Sequence, residues 1–175
     1  MKKTEQEKIK IEHTGKKLFD FAVDREDTKI LMDNLHKEAD IKRPTVEYEL
    51  QALRIITAGW SISYFLENSA YKNRLVKIYW MAVYEFSQNI SSVSELMIGQ
   101  DFNYYQMLKN RLDKYLDAMH NNPDASEPVV TIGPEFAKIC GNSNDVFTIM
   151  SGSKMFTATV NAVKKYLEVS LEISL

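Results

Sequence analysis

Apolar residues recur at helical spacing over most of the chain. From Pro44 onward, Val46, Leu50, Leu53, Ile56 or Thr57, and Trp60 fall on one face of a helix that runs to about Asn68. Pro44 suits its first turn, where the missing N–H would be unpaired in any case. Asn68-Ser69 reads as a stop and restart, and a second long helix fits Tyr71–Met97, ending before Gly99. Asp101 is placed to cap a third, Phe102–His120, with Tyr105, Leu108, Leu112, Tyr115, Leu116 and Met119 on one stripe. An earlier helix is expected over Asp27–Glu38, with Ile30, Leu31 and Leu35 inward. Pro123–Gly133 reads as a loop in which Val129–Ile132 forms a short strand. Pro134 then starts a short helix to Ile139. A last segment from Asn144 or Ser153 carries Phe156, Val160, Val163, Leu167 and Leu171 at helical spacing.

The two chain ends carry a competing period. Lys8–Glu12 alternates Lys-Ile-Lys-Ile-Glu, and Phe19, Phe21 and Val23 alternate with Asp20 and Ala22. His13-Thr14-Gly15-Lys16 between them gives a hairpin register that sets Ile9 opposite Phe21 and Ile11 opposite Phe19. At the other end, Leu167, Val169, Leu171, Ile173 and Leu175 alternate with Glu168, Ser170, Glu172 and Ser174, although nothing breaks the preceding helical pattern. The expected fold is therefore mainly α. It is a compact bundle of five to seven helices around a long central helical hairpin, either all helical or with a small β-hairpin at the N-terminus. The alternative is an α+β fold with 167–175 as a strand. One domain is expected over 1–175. It divides into a peripheral hairpin or arm (1–23), the central long helices (44–120), a loop (121–133) and C-terminal helices (134–175).

Charge is unevenly distributed along the 175 residues. Of 46 charged residues, 24 lie in Met1–Arg54 and only 7 in Ile55–Met107, a stretch that also holds 11 of the 19 aromatics. The net charge of −2 leaves no excess of basic residues to neutralise phosphates, so nucleic acid is not an expected partner. The uncharged run Ile55–Leu66 is 12 residues, too short for a bilayer that needs about 20. With no apolar leader at the N-terminus, a cytoplasmic protein with no membrane partner is expected. The single cysteine, Cys140, excludes an intrachain disulfide; in Phe136–Cys140 it reads as core, not as a nucleophile.

Few residues are spaced for chemistry. Asp33–His36 and Asp117–His120 are two Asp-x-x-His pairs, a carboxylate and an imidazole on one helix face that could share a metal. Asp is shorter than the Glu of known di-iron bundles, and both histidines sit near helix ends, where the negative end of the dipole favours them anyway. Glu49 and Glu85, the carboxylates that would bridge, lie roughly 9 Å apart in height on the two long helices, at 1.5 Å per residue. Glu85 stands in Ile78–Phe86, apolar on every side, where burial would raise its pKa as in a general acid. Ser151-Gly152-Ser153-Lys154 and Ser69-Ala70-Tyr71-Lys72 match Ser-x-x-Lys, but the Lys-Thr-Gly that accompanies it in serine acyl enzymes is missing. No nucleotide-binding or cysteine-pair zinc pattern is present, and no cofactor is expected.

The aromatic belt is the remaining feature. Trp60, Tyr64, Tyr79, Trp80 and Tyr84 lie in the charge-poor stretch, and Trp and Tyr are favoured where protein surfaces meet. Three readings follow, taken in order: a non-enzymatic helical interaction protein, self-associating or binding a protein partner through this surface; a small metal- or acid-dependent enzyme using the Asp/His pairs and Glu85; and a small-ligand sensor with a pocket lined by Tyr and Trp.

Overall fold

The computed structural model describes residues 2–35, 42–98 and 102–175. Among them the chain is a helical bundle: α1 (Lys2–Val23), α2 (Glu26–Asp33), α3 (Arg43–Phe65), α4 (Lys72–Ile98), α5 (Tyr104–His120), α6 (Val129–Ile139) and α7 (Val146–Leu171). No strand occurs among the described residues.

The long helical hairpin is α3 and α4, which turn over residues 66–71 and pack on each other, and α3 is its more central arm. Helix α3 touches all six others and packs most extensively on α7, whereas α4 packs most extensively on α1. The unbroken buried run from Ala52 to Gly59 shows why: α3 has neighbours on every side. Its polar side chains then serve the ends of the helices around it. Arg54, buried, donates from Nε to Phe21 O at 3.0 Å and from Nη1 to Asp27 at 2.5 Å, with its guanidinium 4.3 Å from the Phe21 ring. Gln51 Nε2 donates to Ala22 O at 2.9 Å, and Arg43 Nη2 to Met32 O at 2.6 Å. The last carbonyls of α1 and α2, which have no partner within their own helices, are thus satisfied from α3. This is where part of the charge-rich N-terminal third goes.

The expected N-terminal hairpin is instead the single helix α1. Ile11, Thr14, Gly15, Leu18 and Ala22 are buried on one face at helical spacing, while Ile9 is 62% exposed. The Ile-x-Ile alternation was coincidental, since only one of the two isoleucines faces the core. Gly15, read as a turn residue, is a contact point: a Cβ there would lie 2.5 Å from Ile78 Cγ2 of α4.

The C-terminal alternation is likewise helical up to Leu171. Val163, Leu167 and Leu171 are buried, and Val169 is 72% exposed. Glu172 takes a left-handed conformation (φ 56°) and ends α7. Ile173 and Leu175 then fold back onto the core, and Leu175 N donates to Glu168 Oε1 at 3.3 Å.

Val129–Ile132, expected as a strand, is the first part of α6, which starts five residues before Pro134. Pro134 is the sixth of its eleven residues, so α6 forgoes the one intrahelical bond that residue 134 would donate to Val130 O. Ile132 and Phe136 turn inward, and the Phe136 ring sits on α7 at Gly152, where a Cβ would come within 2.6 Å of it. Asp101, the expected cap, lies outside the described residues. Asn103 caps α5 by accepting from Gln106 N at 2.9 Å. The Asp27–Glu38 helix is described only as α2, Glu26–Asp33, and its expected remainder falls largely outside the described residues.

Candidate functional site

The aromatic belt divides into three places. Tyr79 is wholly buried, and its hydroxyl donates to Ile55 O at 2.7 Å; burial holds that hydroxyl well above its ordinary pKa. Trp80 lies half-buried on α3 at Gly59, where a Cβ would be 2.5 Å from the indole, and meets Tyr79 edge to face at 5.5 Å. These two are packing residues. Tyr84 is 48% exposed on the outer face of α4, edge-on to Tyr105 at 5.1 Å.

Trp60 and Tyr64 form the third place. They are four residues apart on α3 and their rings stack at 4.9 Å with 17° between planes. Trp60 also meets Phe156 of α7 at 5.7 Å. With Pro128 and Val129 at the start of α6 and Val160 on α7, they line a groove of about 210 Å³. Glu127, Thr157 and Asn161 supply its polar edge. Tyr64 is 59% exposed, a large ring stacked on one face and left open to solvent by the described residues. The α7 and α6 walls were not legible in the sequence: Phe156 and Val160 read only as core positions, and Pro128 and Val129 as loop.

Trp60 and Phe156 are also the outer wall of an inner chamber of about 10 Å³, bounded by Thr57, Tyr115, Leu112 and Ile132 among others. Chamber and groove therefore stand back to back across two aromatic rings.

The candidates for catalysis do not assemble. Glu85, expected to be buried, is exposed on α4; the rows of α4 that face α1, α3 and α5 leave positions 81, 84, 85 and 88 outside. Asp33 is exposed at the end of α2, and His36 lies outside the described residues. Asp117 and His120 are exposed on α5. Asp117 lies in an open polar cleft of about 410 Å³ between α5 and α6, with Arg111, Lys114, Glu135 and Lys138. Among the described residues no three His, Cys, Asp or Glu side chains are placed to hold a metal. Ser151 is buried while Lys154 is exposed, and Ser69 Oγ accepts from Tyr71 N in the α3–α4 turn. Cys140 is buried; burial, with Glu49 adding and Arg111 opposing, pushes its thiol up to about 12, so the thiolate nucleophile is absent at neutral pH.

One ionic centre was missed as such. Glu49, considered above only as a bridging carboxylate, is buried and held by Arg111 of α5. Tyr48, Tyr104 and Tyr115 are all near enough to Glu49 to have their hydroxyl pKa values raised by it, after burial itself; at Tyr48 the neighbouring Tyr104 hydroxyl weighs more than Glu49. The signal available was Arg111 standing among the apolar positions of the third helix.

No helix among the described residues is long and apolar enough to cross a membrane. Comparison of the chain with family models, curated proteins and solved structures gives no match.

Proposed function

We propose that this chain is a non-enzymatic, cytoplasmic helical interaction protein that uses the Trp60–Tyr64 groove to take an apolar anchor side chain from a protein partner, a second copy of the chain being the first candidate. The observation that carries this is Tyr64: a stacked aromatic ring, 59% exposed, at the mouth of a groove walled by Trp60, Phe156 and Val160. Large rings in preorganised grooves are the residues that dominate binding energy at protein interfaces. The groove is smaller than the roughly 300–1,000 Å³ of pockets that enclose whole small-molecule ligands, which favours a single anchoring side chain over a free metabolite. A lone buried thiol fits a reducing compartment.

Size-exclusion chromatography with light scattering tests the reading. The wild type is expected above monomer mass at micromolar concentration, and Tyr64→Ala is expected to return it to the monomer without unfolding. A wild type that stays monomeric at every concentration removes self-association. If Tyr64→Ala also fails to weaken capture of any partner, the groove is not the docking surface.

A further inference from the structure

We draw no further inference here: the strongest candidate, the open polar cleft of about 410 Å³ between α5 and α6, already has Arg111 held by Glu49 and Lys138 paired with Glu135, and its remaining charges, Lys114 and Asp117, are of opposite sign, so nothing in the structure shows what ligand would occupy it.

Discussion

Arg111 grips Glu49 at two points across the contact of α5 with α3, Nε on Oε2 at 2.9 Å and Nη2 on Oε1 at 2.8 Å. The two partners are unequally buried: the Glu49 side chain is 5% exposed and that of Arg111 22%. Hydrogen bonding to Glu49 raises the Arg111 pKa further above its ordinary value, against the opposing effect of burial. Removing either partner strands the other, and the stranded carboxylate is the worse case because water reaches it less. Arg111→Ala is therefore expected to cost about 3 kcal/mol, the lower end for breaking a buried pair. Glu49→Ala is expected to cost less, since Arg111 reaches the polar cleft beside it. Urea unfolding of the two variants checks the order. Equal losses would mean the pair is solvated from both sides.

Alkaline pH is expected to destabilise the fold, and the sign follows from burial. Tyr79, Tyr104 and Tyr115 are held above the ordinary value of 10.0 chiefly by burial, Tyr104 at about 12, and the Cys140 thiol rises from 9.0 to about 12. A group whose folded pKa is raised contributes stability that is fully present below its unfolded pKa and is lost as pH rises toward the folded one. The unfolding free energy should thus begin to fall near pH 9, where the unfolded thiol ionises. It should fall more steeply above pH 10, where the unfolded tyrosines follow. In Cys140→Ala the first part of the decline should flatten while the second remains. A wild type with constant stability between pH 8.5 and 11 would contradict the burial of these groups.

Gly15→Ala separates the helix α1 from the hairpin that the local pattern suggested. Alanine is a better helix former by about 1 kcal/mol, so in a loosely packed helix the change would stabilise. Here the new methyl would stand 2.5 Å from Ile78 Cγ2 and 3.4 Å from Leu75 Cδ1. Overpacking of that kind costs about 1–3 kcal/mol, so a net loss is expected, and Ile78→Val should recover part of it. Stabilisation by Gly15→Ala in thermal unfolding would mean that α1 stands off from α4.

The contrast at Gly15 shows what the sequence could and could not convey. The long helices were legible because each exposes one side to the core, and the spacing of Leu53 and Trp60 or of Leu108 and Tyr115 records that directly. The chain ends were not, because a two-residue alternation in a short segment looks the same whether or not both members are buried. Ile9 and Val169 are exposed, and only tertiary contact reveals it. Glu85 failed for a related reason: apolar neighbours in sequence are not neighbours in space, and the exposed positions around it, Met81 and Tyr84, are themselves apolar. The groove was half legible. Trp60 and Tyr64 are on one face of α3, but the walls from Pro128, Phe156 and Val160 join them only when α6 and α7 have packed.

The residues singled out for metal and acid chemistry are expected to be tolerant. Glu85, Asp117 and His120 are exposed. Glu85→Gln, Asp117→Asn and His120→Ala should each stay within about 0.5 kcal/mol of the wild type, as surface substitutions do. Zinc or manganese added in tenfold excess should leave the unfolding midpoint in place, because only a ligand that binds the folded state raises it. A rise of several degrees that His120→Ala abolishes would restore the metal reading.

Two of the three places in the aromatic belt should answer alanine differently. Trp80 covers α3 where Gly59 has no side chain, and it packs edge to face on the fully buried Tyr79. Trp80→Ala removes that filling and leaves a cavity that rigid helices close only partly, a loss of about 3–5 kcal/mol for a large aromatic. Tyr64 stacks on Trp60 from the solvent side and is 59% exposed, so Tyr64→Ala gives up a stacking contact of about 0.5–1.5 kcal/mol and little buried area. Thermal unfolding of the two variants measures the difference, with intrinsic fluorescence separating their sites: Trp60 emission should shift in Tyr64→Ala, where its stacking partner is lost. If Tyr64→Ala proves as destabilising as Trp80→Ala, the ring is part of the core and is not presented for binding.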